Sequence, residues 1–111
     1  MSRIAILAAG LASIVSLAAL PGSASAASFN CYAHLTYTEK AICDNPGLSN
    51  ADSQLTSIYY SLLNSAGPGA RRAIQMRQYH WLGERNRCGA NVGCLWNKYN
   101  RRIQLLSQAG Y

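Results

Sequence analysis

The four cysteines of this chain constrain it most: Cys31, Cys43, Cys88 and Cys94 all follow a long N-terminal apolar run, and no two of them form a C-x-x-C pair. The run has the layout of an export signal. Arg3 supplies a positive start, Ile4 to Leu20 are apolar, and Pro21-Gly22 break the run before a stretch of small residues. Ala24-Ser25-Ala26 fits cleavage after Ala26, and Ser25-Ala26-Ala27 fits cleavage after Ala27. The run is shorter than the roughly 20 residues that a membrane span needs, and Gly10, Ser13 and Ser16 interrupt it, so no membrane span is expected. Ser28-Phe29-Asn30 before Cys31 also lacks the aliphatic and small residues of a lipid-attachment site. The expected product is an exported protein, periplasmic or secreted, with residues 1–26 a signal peptide and 27–111 a single domain.

In an oxidising compartment an even number of cysteines in a short chain reads as a disulfide framework. Removing 26 of 111 residues leaves 85, close to the size below which an apolar core needs covalent help. Zinc is not expected, because neither pair has C-x2-C spacing and His34 and His80 stand at no matching interval. The same spacing argues against a thioredoxin-like centre and against haem attachment, and no cofactor is implied. Local pairing, Cys31 with Cys43 and Cys88 with Cys94, is favoured because Gly89 and Gly93 allow a tight turn between the second pair. Loop entropy alone does not exclude the two other connectivities.

The pattern between the cysteines is helical throughout. Thr36 and Glu39 form a capping-box pair that starts a short helix, which Asn45-Pro46-Gly47 is expected to end. Ser49 and Asp52 mark a second start, after which Leu55, Ile58, Tyr59, Leu62 and Leu63 recur at helical spacing. Gly67-Pro68-Gly69 makes a turn. Ala70, Ala73, Ile74, Arg77, Gln78, Trp81 and Arg85 then share a helical face, and a last helix from about Cys94 carries Leu95, Tyr99, Arg102, Ile103 and Leu106 on one side. The reading is an all-α, disulfide-stabilised bundle of about four helices, one short and three longer, with the last two antiparallel across the short link after Cys88.

Gln78, Trp81 and Arg85 lie at i, i+3 and i+7, so one face carries an amide, an indole and a guanidinium. Long polar side chains inside a small domain need partners. The expectation is therefore a structural polar brace in which Arg85 pairs with Glu39 or Asp52 and Gln78 caps a neighbouring backbone group. With Arg3 removed, nine Lys and Arg face four Asp and Glu, a net charge of +5 that favours acidic partners. Arg71 and Arg72 after the turn and Arg101 on the last helix are the candidate partner-binding residues. Enzymatic chemistry is not expected: there is no G-x-S-x-G, the histidines lie near no nucleophile motif, and Glu39, Asp52 and Glu84 fall on different helices. Export also argues against nucleic acid as a natural partner.

Cys31, Thr38-Glu39-Lys40-Ala41-Ile42-Cys43, Leu48, Asp52 and Leu55 are followed by Tyr59, Gln78, Trp81-Leu82, Arg85 and Cys88. Cys94-Leu95, Tyr99, Arg102-Ile103 and Leu106 complete the series. In order and spacing it resembles the LprI-type lysozyme-inhibitor domain of exported bacterial proteins, over nearly the whole of residues 27–111. The resemblance implies an all-helical domain and, as in the name-giving members, binding that blocks lysozyme or a related wall hydrolase. The chain departs from those members in lacking a lipid-attachment cysteine and in carrying Asn50-Ala51-Asp52 where Leu-Asp is more usual. A different class of function fits the same charge: an envelope-associated basic protein that holds acidic wall or membrane polymers.

Overall fold

Helices begin where a side chain or a proline deals with the first-turn N–H groups that have no partner in the helix. The computed structural model describes residues 27–108, so the expected signal peptide, residues 1–26, lies outside the described residues. Within them the chain forms four α-helices and no strand: α1 (Tyr37–Asp44), α2 (Pro46–Ser65), α3 (Pro68–Asn86) and α4 (Val92–Ser107). At α1 the capping box is complete. The Glu39 N–H donates to Thr36 Oγ1 at 3.1 Å and the Thr36 N–H to Glu39 Oε1 at 2.9 Å.

The second helix starts four residues before the point that the sequence marks. Asn45 rather than Ser49 is the N-cap, its Oδ1 accepting the Leu48 N–H at 3.0 Å, and Pro46 occupies the first helical position, where its missing N–H is not needed. Asn45-Pro46-Gly47 therefore both ends α1 and opens α2. Ser49 sits inside the helix, buried, and its hydroxyl donates to the Ile42 carbonyl at 2.7 Å, which ties the end of α1 to α2. In the same way Asn91 Oδ1 accepts the Cys94 N–H at 2.9 Å, so α4 opens at Val92 rather than at Cys94.

The largest helix contact is that of α2 with α4, and α1 lies against α2. Ile42, Leu48, Leu55, Leu95, Tyr99 and Leu106 fill the resulting core, with Trp81 entering from α3. Fully burying aliphatic side chains of this size contributes about 1.5–3 kcal/mol each. Both disulfides are local. Cys31–Cys43 clips the N-terminal arm to α1, and Cys88–Cys94 closes the link between α3 and α4, with Gly89 in the left-handed region at φ +57°. Constraining the unfolded chain in this way is worth about 2–3 kcal/mol per bond.

Two glycines in helices separate packing from propensity. A Cβ at Gly47 would stand 2.7 Å from the Trp96 ring, whereas one at Gly83 would meet nothing within 4 Å. Gly83→Ala should raise the melting temperature, by the roughly 1 kcal/mol that alanine gains over glycine in a helix. Gly47→Ala should lower it, because the indole must shift from its packed position. Thermal denaturation followed by circular dichroism checks both signs.

Candidate functional site

Two arginines that the helical pattern places on apolar faces are buried, and they have opposite surroundings. Arg85 of α3 is 5% exposed and reaches a carboxylate. Its Nη1 lies 3.9 Å from Asp52 Oδ1 and donates to Tyr99 Oη at 3.2 Å, while Nε and Nη2 donate to Asn86 Oδ1 at 3.1 and 2.8 Å. Tyr99 in turn donates to Asp52 Oδ1 at 2.7 Å, and the Ser28 backbone N–H donates to the other carboxylate oxygen. The Trp81 ring meets Tyr99 edge-on at 5.2 Å, and the Arg85 guanidinium stands 5.9 Å from its centroid. This is a polar brace between α2, α3, α4 and the N-terminal arm.

Its membership differs from the expected one in two places. Glu39 takes no part, because its carboxylate is engaged in the α1 capping box. Gln78 caps no backbone group; one turn before Trp81, its Oε1 accepts from Arg102 of α4, at 3.3 Å from Nε and 3.1 Å from Nη2. Tyr99, which the helical pattern marks only as an apolar core position, is the link between Asp52 and Arg85.

Arg102 is 6% exposed and has no carboxylate within ion-pairing distance among the described residues. A neutral amide is its only hydrogen-bond acceptor there. Burial and the neighbouring Arg77 hold its pKa below the ordinary arginine value, and Glu84 opposes them only in part. Arg102 lines an open groove of about 560 Å³ between α3 and α4. Arg77 and His80 from α3 and Lys98 and Arg101 from α4 share this lining, and Glu84 is its one acidic residue, 4.0 Å from Lys98 across the groove. Trp81 and Leu105 add apolar wall. Four permanent cations against one carboxylate make this groove a concave basic feature suited to anions.

The three arginines singled out by sequence are not brought together here. Arg101 lines the groove. Arg71 is committed to the fold, its Nη1 donating to the Leu63 carbonyl at 2.9 Å and capping the end of α2. Arg72 is exposed at the start of α3 and is not part of the groove lining. Among the described residues no group of three or more His, Cys, Asp or Glu is placed to hold a metal ion, and no helix is long and apolar enough to cross a membrane. Compared with protein-family models, with curated proteins and with solved structures, the chain matches none.

The brace gives two measurable expectations. Arg85→Ala leaves the Asp52 carboxylate buried without its cation, which should cost about 3–5 kcal/mol and lower the melting temperature by more than roughly 10 °C in a domain of this size. Burial first, and then the Asp52 charge, raises the Tyr99 phenol above its usual 10.0. The folded state therefore keeps a proton that the unfolded chain releases. The associated stability is fully present below pH 10 and is lost as the pH rises further, towards the folded value. Tyr99→Phe should flatten that alkaline fall in stability, while costing about 1–3 kcal/mol at neutral pH through the unsatisfied Asp52 oxygen.

Proposed function

We propose that the protein is an exported binding module that docks an acidic partner in the groove between α3 and α4, without acting on that partner chemically. The observation that carries this reading is the buried Arg102 at the groove wall, paired with no carboxylate and flanked by Arg77, Lys98 and Arg101. A guanidinium so placed has given up most of its hydration and regains charge-assisted hydrogen bonds when an anion arrives. The two disulfides agree with an oxidising compartment, and cleavage after Ala26 or Ala27 would leave the core brace intact, because the residue that meets Asp52 is Ser28.

The resemblance to LprI-type domains points to lysozyme or a related wall hydrolase as the partner, with inhibition as the outcome. Of the arginines suited to insertion into the acidic cleft of such an enzyme, Arg71, Arg72 and Arg101 all stand at exposed positions, but the Arg71 guanidinium is engaged by the Leu63 carbonyl. A second reading, an acidic wall or membrane polymer, is favoured by the recessed position of Arg102. A cation inside a groove meets a projecting anion more readily than one that lies at the bottom of another cleft.

Lysis of a peptidoglycan suspension by lysozyme, with the oxidised mature protein titrated in at low and moderate salt, separates the two. Inhibition that saturates at a fixed stoichiometry and persists in part at moderate salt is the outcome expected of an inhibitor. Undiminished lysis at both salts would overturn the lysozyme reading and leave the polymer as the partner to be sought.

A further inference from the structure

We infer that the groove between α3 and α4 is a binding site for the phosphate groups of a phosphodiester polymer, with Arg102 as the anchor. This rests on the reading of that groove as the docking face and goes beyond it by naming the chemistry of the ligand.

The geometry of Arg102 selects an oxyanion. A guanidinium carries five N–H donors in a fixed fork. Gln78 Oε1 accepts from Nε and Nη2 and so occupies one edge. Nη1 and the outer N–H of Nη2 form the remaining end, which matches two oxygens of one anion side by side. A carboxylate held by this fork keeps its remaining lone pairs in its own plane. The two non-bridging oxygens of a phosphodiester sit on a tetrahedral phosphorus and accept over a cone of directions, so each can also meet Arg77, Lys98 or Arg101, which line the same groove.

The distribution of charge along the groove selects a polymer. Lys98 lies one turn before the adjacent Arg101 and Arg102 on α4, and Leu105 follows, so this part of the lining extends over eight residues, about 10 Å of helix. Charges repeated along a chain neutralise such a row, whereas one small anion meets only its centre. Trp81 and Leu105 offer apolar wall to the uncharged linkers between phosphates.

The test is titration of the oxidised protein with synthetic poly(glycerol phosphate), with polyglutamate of matched length and with inorganic phosphate, read by calorimetry. The key variant is Gln78→Glu, which keeps the side-chain shape and sets a carboxylate on Arg102 from within. It should weaken the phosphate polymer at least about tenfold while leaving the melting temperature unchanged or higher, a combination that lost structure does not produce. Arg77→Ala combined with Arg101→Ala, both at exposed positions, should weaken it several-fold. Lys40→Ala, on α1 and paired with Asp44, should not weaken it. Polyglutamate bound as tightly as the phosphate polymer and lost equally in Gln78→Glu would overturn the phosphate assignment and keep the groove as docking face. Affinities unchanged in both groove variants would overturn both. Inorganic phosphate displacing the polymer at equal phosphate concentration would overturn the polymer in favour of the free ion.

Discussion

The Asp52 carboxylate is the point on which the domain is assembled. A buried charge is tolerated only when its lone pairs are occupied and a counter-ion is near, and here those groups come from three other parts of the chain. Ser28 approaches from the N-terminal arm, Tyr99 from α4 and Arg85 from α3, while α2 carries the carboxylate itself. None of these contacts is available to a chain in which one element is displaced. The apolar core of α2 and α4 supplies most of the stabilisation, but apolar contact is non-directional. The polar brace is what selects one arrangement of α3 and the arm over neighbouring ones.

Arg85 and Arg102 show how differently a small domain uses two buried cations. Arg85 has a carboxylate and a phenol, and its environment is closed. Arg102 has one amide oxygen and lines an open groove with other cations, so the local field is left positive. A fold selected for stability alone gains from placing an acid beside Arg102, and Gln78 is one atom type away from being one. The neutral residue at that position preserves an unsatisfied demand for an anion, and the proposed function grows out of that demand.

The disulfides and caps have a supporting part in this arrangement. Cys31–Cys43 holds the arm near α1, which keeps Ser28 within reach of Asp52, and Cys88–Cys94 sets the separation of α3 from α4 at one end of the groove. Arg71 shows the same economy at the opposite end of α3: a basic residue near the surface serves as a cap for α2. Charge counted from sequence therefore overstates how many cations are free to meet a partner.

Local physics was legible in the sequence. The Thr36–Glu39 capping box, the helical spacing of α2 and the local pairing of cysteines follow from neighbours a few residues apart, and the structure has all of them, whereas Pro68 and Gly69, expected in a turn, are the first two residues of α3. Where two local signals competed, the one with more backbone donors satisfied won: Asn45 with Pro46 displaced Ser49 as the start of α2. The brace was legible in part, since a long polar side chain on an apolar stripe must find a partner, but Glu39 and Asp52 were equal candidates by sequence. Only the packing of α2 against α4 decided between them, by carrying Tyr99 to Asp52 across 47 residues of chain. The pairing of Gln78 with Arg102, and the basic groove it borders, was decided in the same way. It depends on how α3 stands against α4 beyond the Cys88–Cys94 link, where Trp81 and Tyr99 meet edge-on between them, and no motif along the chain encodes that packing.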